Sequence, residues 1–350
     1  MLRKFLKYTL FVLLIVFIAV IVSYYENINT PADKKGAGSL FVVAPGDSVK
    51  KIGLNLQIKG LIKSKNQFEY YVWQIKKGAL MQAGTYQLSP RMTIKEIVAA
   101  FVAGKTMNQE KEITIIPGWT LRDIAKYFTD AGIASSADFY KLAGEPMKDY
   151  TKAKIAPADY SADFSILSDK PKNYGLEGYL FPDTYRIYKD ATAEEVIKKM
   201  LANFEDKLTP VMRADIKKQG KTVYQIITMA SMIEKEVNKN EDMKIVSGIF
   251  WGRIKTGQGL ESCATLAYIL GKNKPVYSLE DTLVDSPYNT YQHQSLPPGP
   301  ICNPSLAAIE AAIYPTKTNY NYFLSRPDTG ETVFSKTLEE HNLNKAKYLK

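Results

Sequence analysis

ITIIPGWTLRDIAKYFTDAGIA, Ile113 to Ala134, is the stretch on which the fold reading turns. An apolar run leads into a Pro-Gly pair. Apolar residues then recur at Leu121, Ile124 and Phe128, the spacing of one helix face, and Gly132 stops the pattern. The reading is strand, tight turn, amphipathic helix and glycine stop. The same order occurs 72 residues earlier in FVVAPGDSVKKIGLNLQIKGLI, from Phe41: Pro45/Pro117, Gly46/Gly118, Val49/Leu121, Ile52/Ile124, Leu56/Phe128 and Gly60/Gly132 correspond.

A second element repeats at an offset of 99. GTYQLSPRMTIKEIVAAF, from Gly84, resembles DTYRIYKDATAEEVIKKM, from Asp183, through Thr85/Thr184, Tyr86/Tyr185, Thr93/Thr192, Glu96/Glu195 and Ile97/Val196. Two strand-helix pieces are therefore duplicated, and the second copy is longer by 27 residues, the difference between the offsets. The excess falls in KDYTKAKIAPADYSADFSILSDKPKNYG, within the region 145–173, a segment that is either disordered or functional. Each amphipathic helix needs a sheet face to pack on, so a small α+β module is the economical solution. From Thr222 the pattern becomes helical, in VYQIITMASMIEKEV and in MKIVSGIFWGRIKTG, which Gly257 ends. SLAAIEAAIYP reads as a further helix, and NYNYFLSRPDTGETVFS as a hairpin turning at Asp328 to Gly330.

The N-terminus is different in kind. Arg3, Lys4 and Lys7 precede eighteen uncharged residues, Tyr8 to Tyr25, containing the unbroken apolar run LFVLLIVFIAVIV. As a helix this spans a bilayer core of about 30 Å. A cleaved signal peptide would begin similarly, but SYYENINT has no small-x-small cleavage site and no lipid-accepting cysteine follows, so a retained anchor is expected. The positive-inside rule then puts everything after about Glu26 outside the cytoplasm. The expected organisation is a cytoplasmic tip and transmembrane anchor over 1–25 and a flexible linker over 26–38. A small module over 39–108 and a larger mixed α+β domain over 109–350 follow.

Outside the membrane the net charge of +10 points to anionic headgroups, an anionic wall polymer or a surplus-lysine surface, and argues against nucleic acid. Metal ligation is not expected, because the two histidines, His293 and His341, belong to no ligand cluster of suitable spacing. SVKK at Ser48, SKN at Ser64 and KTG at Lys255 imitate penicillin-binding motifs. However, the second repeat has Thr120 in place of Ser48 and no matching lysine, so these read as chance.

ASMIEKEV, Ala230 to Val237, carries two carboxylates out of an apolar helix. One turn before Glu234 lie Ala230 and Ser231; before Glu236 lie Met232 and Ile233. Apolar surroundings raise a carboxyl's pKa, and half protonation near neutrality needs a rise of about 2.5 above about 4.3, roughly 3.4 kcal/mol. Either residue would suit a general acid, and a solvated glutamate paired with lysine is the plainer reading. DSPYNTYQHQSLPPGPICNP, Asp285 to Pro304, joins tyrosines, amides and hydroxyls to a stiff Pro-Pro-Gly-Pro turn, a mixture suited to stacking on and hydrogen-bonding sugar rings.

In IIPGWTLRDIA, LEGYLFPDTY, MASMIEKEV, SPYNTY, LPPGPICNP and TVFSKTLEEHN, in that order, the chain resembles the MltG-type (YceG-like) endolytic murein transglycosylases. The resemblance implies a single N-terminal anchor, a LysM-like module over 39–108 and a transglycosylase domain over 109–350. It implies that Glu234 is the catalytic acid and base, cutting the MurNAc-GlcNAc bond of nascent strands to leave 1,6-anhydro-MurNAc ends, without a cofactor. One carboxyl suffices because the nucleophile is the muramyl 6-hydroxyl. Tyr288, Asn289, Thr290, Tyr291, Pro297, Pro298 and Gly299 are the implied substrate-binding residues. The implied partners are peptidoglycan strands, the membrane through residues 8–25 and peptidoglycan synthases. Two rival readings stand beside it: a non-catalytic wall-binding protein, and a water-using hydrolase with Glu236 or Glu261 as a second carboxylate. Cys263, Tyr314 and Ser305 depart from the family pattern, which more often has aspartate, histidine and glycine there. With both thiols in cleft-forming segments and an oxidising compartment, a Cys263–Cys302 disulfide is favoured over two buried free thiols.

Overall fold

The computed structural model describes residues 2–106, 110–274 and 276–349 of the 350-residue chain. Its internal contacts divide the chain into two compact units, Met1–Lys111 and Glu112–Lys350.

In the first unit the apolar N-terminal sequence forms one helix, α1 (Leu2–Asn29), whose segment Phe11–Asn29 is long and apolar enough to cross a membrane. Strands β1 (Ser39–Val43) and β2 (Gly84–Leu88) pair antiparallel, with Phe41 opposite Tyr86. Alternation turns Phe41, Val43, Tyr86 and Leu88 inward, onto helices α2 (Val49–Ile58), α3 (Lys65–Gln74) and α4 (Ile94–Ala103). Ser48 caps α2 and Ser64 caps α3, each hydroxyl accepting from the amide three residues on. The penicillin-binding look-alikes are thus helix caps, and Lys255–Gly257 is a helix end. The segment read as a flexible linker from Glu26 is instead tied down. Helix α1 continues to Asn29, Ile28 is buried in the unit's core, and Asp33 N donates to Pro90 O.

The longer copy of the repeat, whose first strand falls at the boundary between the units, comprises β3 (Glu110–Thr114), α5 (Leu121–Asp130), α6 (Ser136–Ala143), β4 (Thr184–Tyr188) and α7 (Ala193–Lys207). The Pro-Gly turns of both copies close on a left-handed glycine, Gly46 and Gly118 each at φ 81°, where a side chain would be strained. The 27-residue excess is structured. It buries Tyr160, Ile166 and Leu167 in the main core, and Leu176 N donates to Ala143 O to bring the chain back.

Helices α8 (Pro210–Lys218), α9 (Val223–Glu236), α10 (Asn240–Thr256) and α11 (Cys263–Leu270) follow. After the single turn α12 (Leu279–Thr282) comes α13 (Leu306–Ile313). Helix α9 is the axis, packed against α10, α11 and α13. Buried Ala308, Ala311 and Ala312 on α13 permit the close approach. Gly257, at φ 72°, ends α10 as expected. The C-terminal hairpin of β5 (Tyr322–Ser325) and β6 (Thr332–Ser335) is covered by α14 (Leu338–Tyr348).

Candidate active site

Helix α9 is fastened at its start and buried through its middle. Thr222 and Gln225 form a capping box, and the Asp169 carboxylate accepts from Val223 N at 2.6 Å and Tyr224 N at 3.3 Å. Every side chain from Ile226 to Ile233 is buried. The last turn is therefore the first place where α9 can present a carboxylate.

Glu234 and Glu236, two positions apart, leave the helix on different faces. Glu234 Oε2 accepts from Ser305 N at 2.9 Å and from Ser305 Oγ at 2.5 Å. Ser305 is the N-cap of α13, whose N-terminus favours negative charge. Burial works against that charge and prevails: the Glu234 pKa is raised by desolvation, with Ser305 and Lys235 pulling it back. Glu236 accepts from Ser262 Oγ instead, and burial raises its pKa against Ser262, the Ala264 amide and Arg253. It borders a separate cavity of about 300 Å³ with Arg253, Tyr291 and His341.

Three of the distinctive sequence stretches meet beside Glu234. A Cβ on Gly118 of the PGW turn would lie 3.8 Å from Glu234 Cγ and 3.5 Å from Lys235 Cδ, so this turn crosses the end of α9. Asn303, fully buried, holds the turn: Gly118 N donates to Asn303 O at 2.9 Å, and Asn303 N and Nδ2 donate to Trp119 O. Its Oδ1 accepts from Leu180 N at 2.9 Å, which brings in LEGYLFPDTY. Ile301 N donates to Ser231 Oγ at 3.0 Å and ties the loop to α9. A polar cleft of about 210 Å³ opens at Lys235, bounded by Thr120, Arg122, Tyr268 and Lys272.

Glu177 was not singled out by sequence reasoning. Its carboxyl is buried, accepts from Leu121 N at 3.0 Å and Tyr268 Oη at 2.9 Å, and is pushed up to about 8 by desolvation, against those hydrogen bonds and Arg122. The available signal was a lone acid inside the otherwise apolar and aromatic run Leu176–Phe181. Nearby, Tyr224 Oη donates to Pro298 O at 2.7 Å, and a Cβ on Gly299 would meet that Oη at 2.4 Å.

Two of the residues expected to bind substrate in the SPYNTY loop have partners within the chain. Asn289 and Thr290 are buried, and their polar groups are satisfied within the chain. Asn289 Nδ2 donates to Thr282 O and Val284 O, and its Oδ1 accepts from Tyr291 N; Thr290 Oγ1 accepts from Ser262 N at 3.0 Å. An irregular buried loop has no ladder to pair its backbone, so side-chain amides and hydroxyls do that work. Tyr288 is buried against Tyr268, while Tyr291 is half-buried. Pro297 and Gly299 are buried and Pro298 half-buried. The expected Cys263–Cys302 bridge is absent, because the two thiols face different surroundings. Cys263 is exposed, with Sγ 3.2 Å from Tyr291 Oη, whereas Cys302 is buried and donates to Ser231 O at 3.2 Å.

Comparison with known proteins shows the family of the chain. The sequence matches the YceG-like family over residues 41–347. The chain belongs to the YceG-like family. It is similar to a Bacillus subtilis protein named endolytic murein transglycosylase, 34% identical over 93% of this chain and 89% of the relative. A Streptococcus pneumoniae serotype 2 protein of the same name is 33% identical over 88% of this chain, which spans 58% of that longer protein. Among solved structures, a yceG-like protein from Listeria monocytogenes matches with a TM-score of 0.57 and 33% identity, covering 89% of this chain and all of the other. The YceG-like match begins at Phe41, after the apolar helix α1 and the segment that follows it.

Proposed function

We propose that this YceG-like protein is a membrane-anchored lytic transglycosylase that cuts peptidoglycan strands internally at the MurNAc-GlcNAc bond, with Glu234 as its acid and base. The observation that carries the reading is a half-buried carboxyl with raised pKa, held by Ser305 where the PGW turn, LEGYLFPDTY and LPPGPICNP converge. Protonated Glu234 gives its proton to the bridging oxygen. As carboxylate it then takes the proton of the muramyl 6-hydroxyl while that oxygen bonds to its own C1, closing the 1,6-anhydro ring. No water enters and the glutamate ends protonated as it began. Asn289 and Thr290 hold the loop in shape. Tyr288, Pro297 and Gly299 pack behind the loop surface, Tyr291 borders the separate cavity at Glu236, and the cleft at Lys235 is where a strand would lie.

Helix α1 serves as the anchor. Support comes from its exposed apolar length and from the chain of rings Tyr25, Tyr24, Tyr70 and Trp73 at its outer end, the aromatic composition of a membrane interface. The unit over residues 39–108 acts as a LysM-like module that binds or positions the wall polymer. Its exposed Trp73 borders an apolar cleft of about 750 Å³ with Val49, Val72 and Gly78.

The test uses the full chain in detergent with purified glycan strands and mass analysis of the products. Wild type should leave anhydro ends. Glu234→Gln should lose about 10² to 10⁴-fold in rate, the usual worth of acid-base help, while Glu236→Gln keeps most of it. Reducing ends from the wild type would establish water-using hydrolysis instead, and full activity in Glu234→Gln would remove the assignment of the acid.

A further inference from the structure

The segment that lengthens the second repeat encloses a cavity that the chemistry at Glu234 does not use. It measures about 250 Å³ and is lined by Pro157, Tyr160, Leu167, Lys170, Tyr174 and Leu176 among others. Two of these side chains are left incomplete. Lys170 Nζ donates to Pro171 O at 3.0 Å and Tyr174 O at 2.5 Å, and among the described residues it makes no ion pair within 4.0 Å. An ammonium has three N–H groups, so one remains. Tyr160 is only 3% exposed, yet among the described residues its hydroxyl has no hydrogen-bond partner, a costly state for a buried polar atom.

The surrounding charges do not repair this. Asp159, the carboxylate that acts on Lys170, faces Lys172 at 3.9 Å, and Lys198, 5.9 Å over the Tyr160 ring, is paired with Glu194. Burial lowers the Lys170 amine to about 8 and pushes the Tyr160 phenol up to about 12, as expected for a cation without a counter-ion and a phenol without an acceptor. A carboxylate offers acceptors to both donors at once. Pro157, Leu167, Leu176 and the Tyr174 ring share the remaining wall with the polar side chains of Asp159, Ser161, Ser168 and Lys172, so the rest of the ligand must be small and carry both apolar and hydrogen-bonding groups. The volume lies below the about 300 Å³ at which drug-sized sites begin, which suits one or two small residues.

Resting on the murein reading above, we propose that this cavity binds the C-terminal carboxylate of a peptide stem, so that the protein reads the peptides of a glycan strand as well as its sugars. Lys170 supplies the charge and Tyr160 the second donor, and the inserted segment is the part of the chain that builds the site.

The test is protection of Lys170 from acetylation at pH 8 in the full detergent-solubilised chain, read by peptide mass spectrometry and paired with titration calorimetry. The probe is D-alanyl-D-alanine; its C-terminal amide and inorganic phosphate are the comparisons. The dipeptide should protect Lys170, the amide should bind at least about tenfold more weakly, and Tyr160→Phe should lose about tenfold in dipeptide affinity, the worth of a hydrogen bond to a charged group. Lys170→Met should abolish the heat of binding. Equal protection by phosphate would make this a general anion site and overturn the proposal, as would no protection by the dipeptide. Anhydro ends formed from peptide-stripped strands, alongside no dipeptide binding, would sink the cavity proposal alone. Dipeptide binding without anhydro ends on any strand would sink the transglycosylase reading alone.

Discussion

Glu177 gives the sharpest physical test of the arrangement. In the unfolded chain its carboxyl titrates near the ordinary 4.5, and in the fold desolvation pushes it up to about 8. The fold therefore binds this proton more tightly than the unfolded chain does, and stability must fall as pH rises from about 4.5 to about 8. At about 1.36 kcal/mol per pH unit, the ionised fold is on the order of 4 to 5 kcal/mol less favourable above pH 8. Below pH 4.5 both states hold the proton and the contribution vanishes. Glu177→Gln keeps an acceptor for Leu121 N and Tyr268 Oη but cannot ionise. Other acids with raised pKa, the half-buried Glu234, Glu236 and Asp169, titrate in both proteins and drop out of the difference. Denaturant unfolding at pH 5, 7 and 9 should show wild type losing stability relative to Glu177→Gln by several kcal/mol across that range. Parallel profiles would refute the reasoning, because they would mean that water reaches the carboxyl and no desolvation is present.

Three further outcomes can be checked directly. Ser305→Gly keeps the backbone N–H to Glu234 but removes the hydroxyl that stabilises its carboxylate. The Glu234 pKa should rise further, so the alkaline fall of kcat/KM should move to higher pH; an unmoved pH–rate profile would separate Glu234 from that limb. Gly178→Ala should destabilise by about 1 to 3 kcal/mol in denaturant, since φ is +86° and the new Cβ would meet Pro300 at 2.5 Å and Ile227 at 2.8 Å. A stability equal to wild type would show that this neighbourhood yields more readily than a packed core. In the native chain a maleimide should label Cys263 without prior reduction and Cys302 only after unfolding, whereas labelling of both only after reductant would restore the disulfide.

Much of the architecture was legible in the residues because its signals are local. The Pro-Gly pairs predicted tight turns at Gly46 and Gly118, the apolar spacing predicted α2 and α5, and Gly257 predicted the end of α10. The hairpin between Tyr322 and Ser335 followed from its turn residues in the same way. Composition alone predicts a flexible linker after α1, because it cannot show that Ile28 has a core to enter. In the SPYNTY loop, amides and hydroxyls suited to sugars are equally suited to pairing a buried backbone, and only the partners of Asn289 and Thr290 distinguish the two uses.

By itself the sequence determined the duplicated strand-helix units, the apolar N-terminal helix, the helical core of the second unit and a short choice of carboxyls at the end of α9. All of these depend on contacts between residues a few positions apart. Tertiary structure alone decided that Glu234 meets Ser305 while Glu236 turns to Ser262, that Glu177 is buried against Leu121 and Tyr268, and that Cys263 and Cys302 lie in different surroundings. The physical reason is that a carboxyl's proton affinity and a thiol's partner are set by desolvation and by donors brought from distant parts of the chain, and helical periodicity carries no record of either.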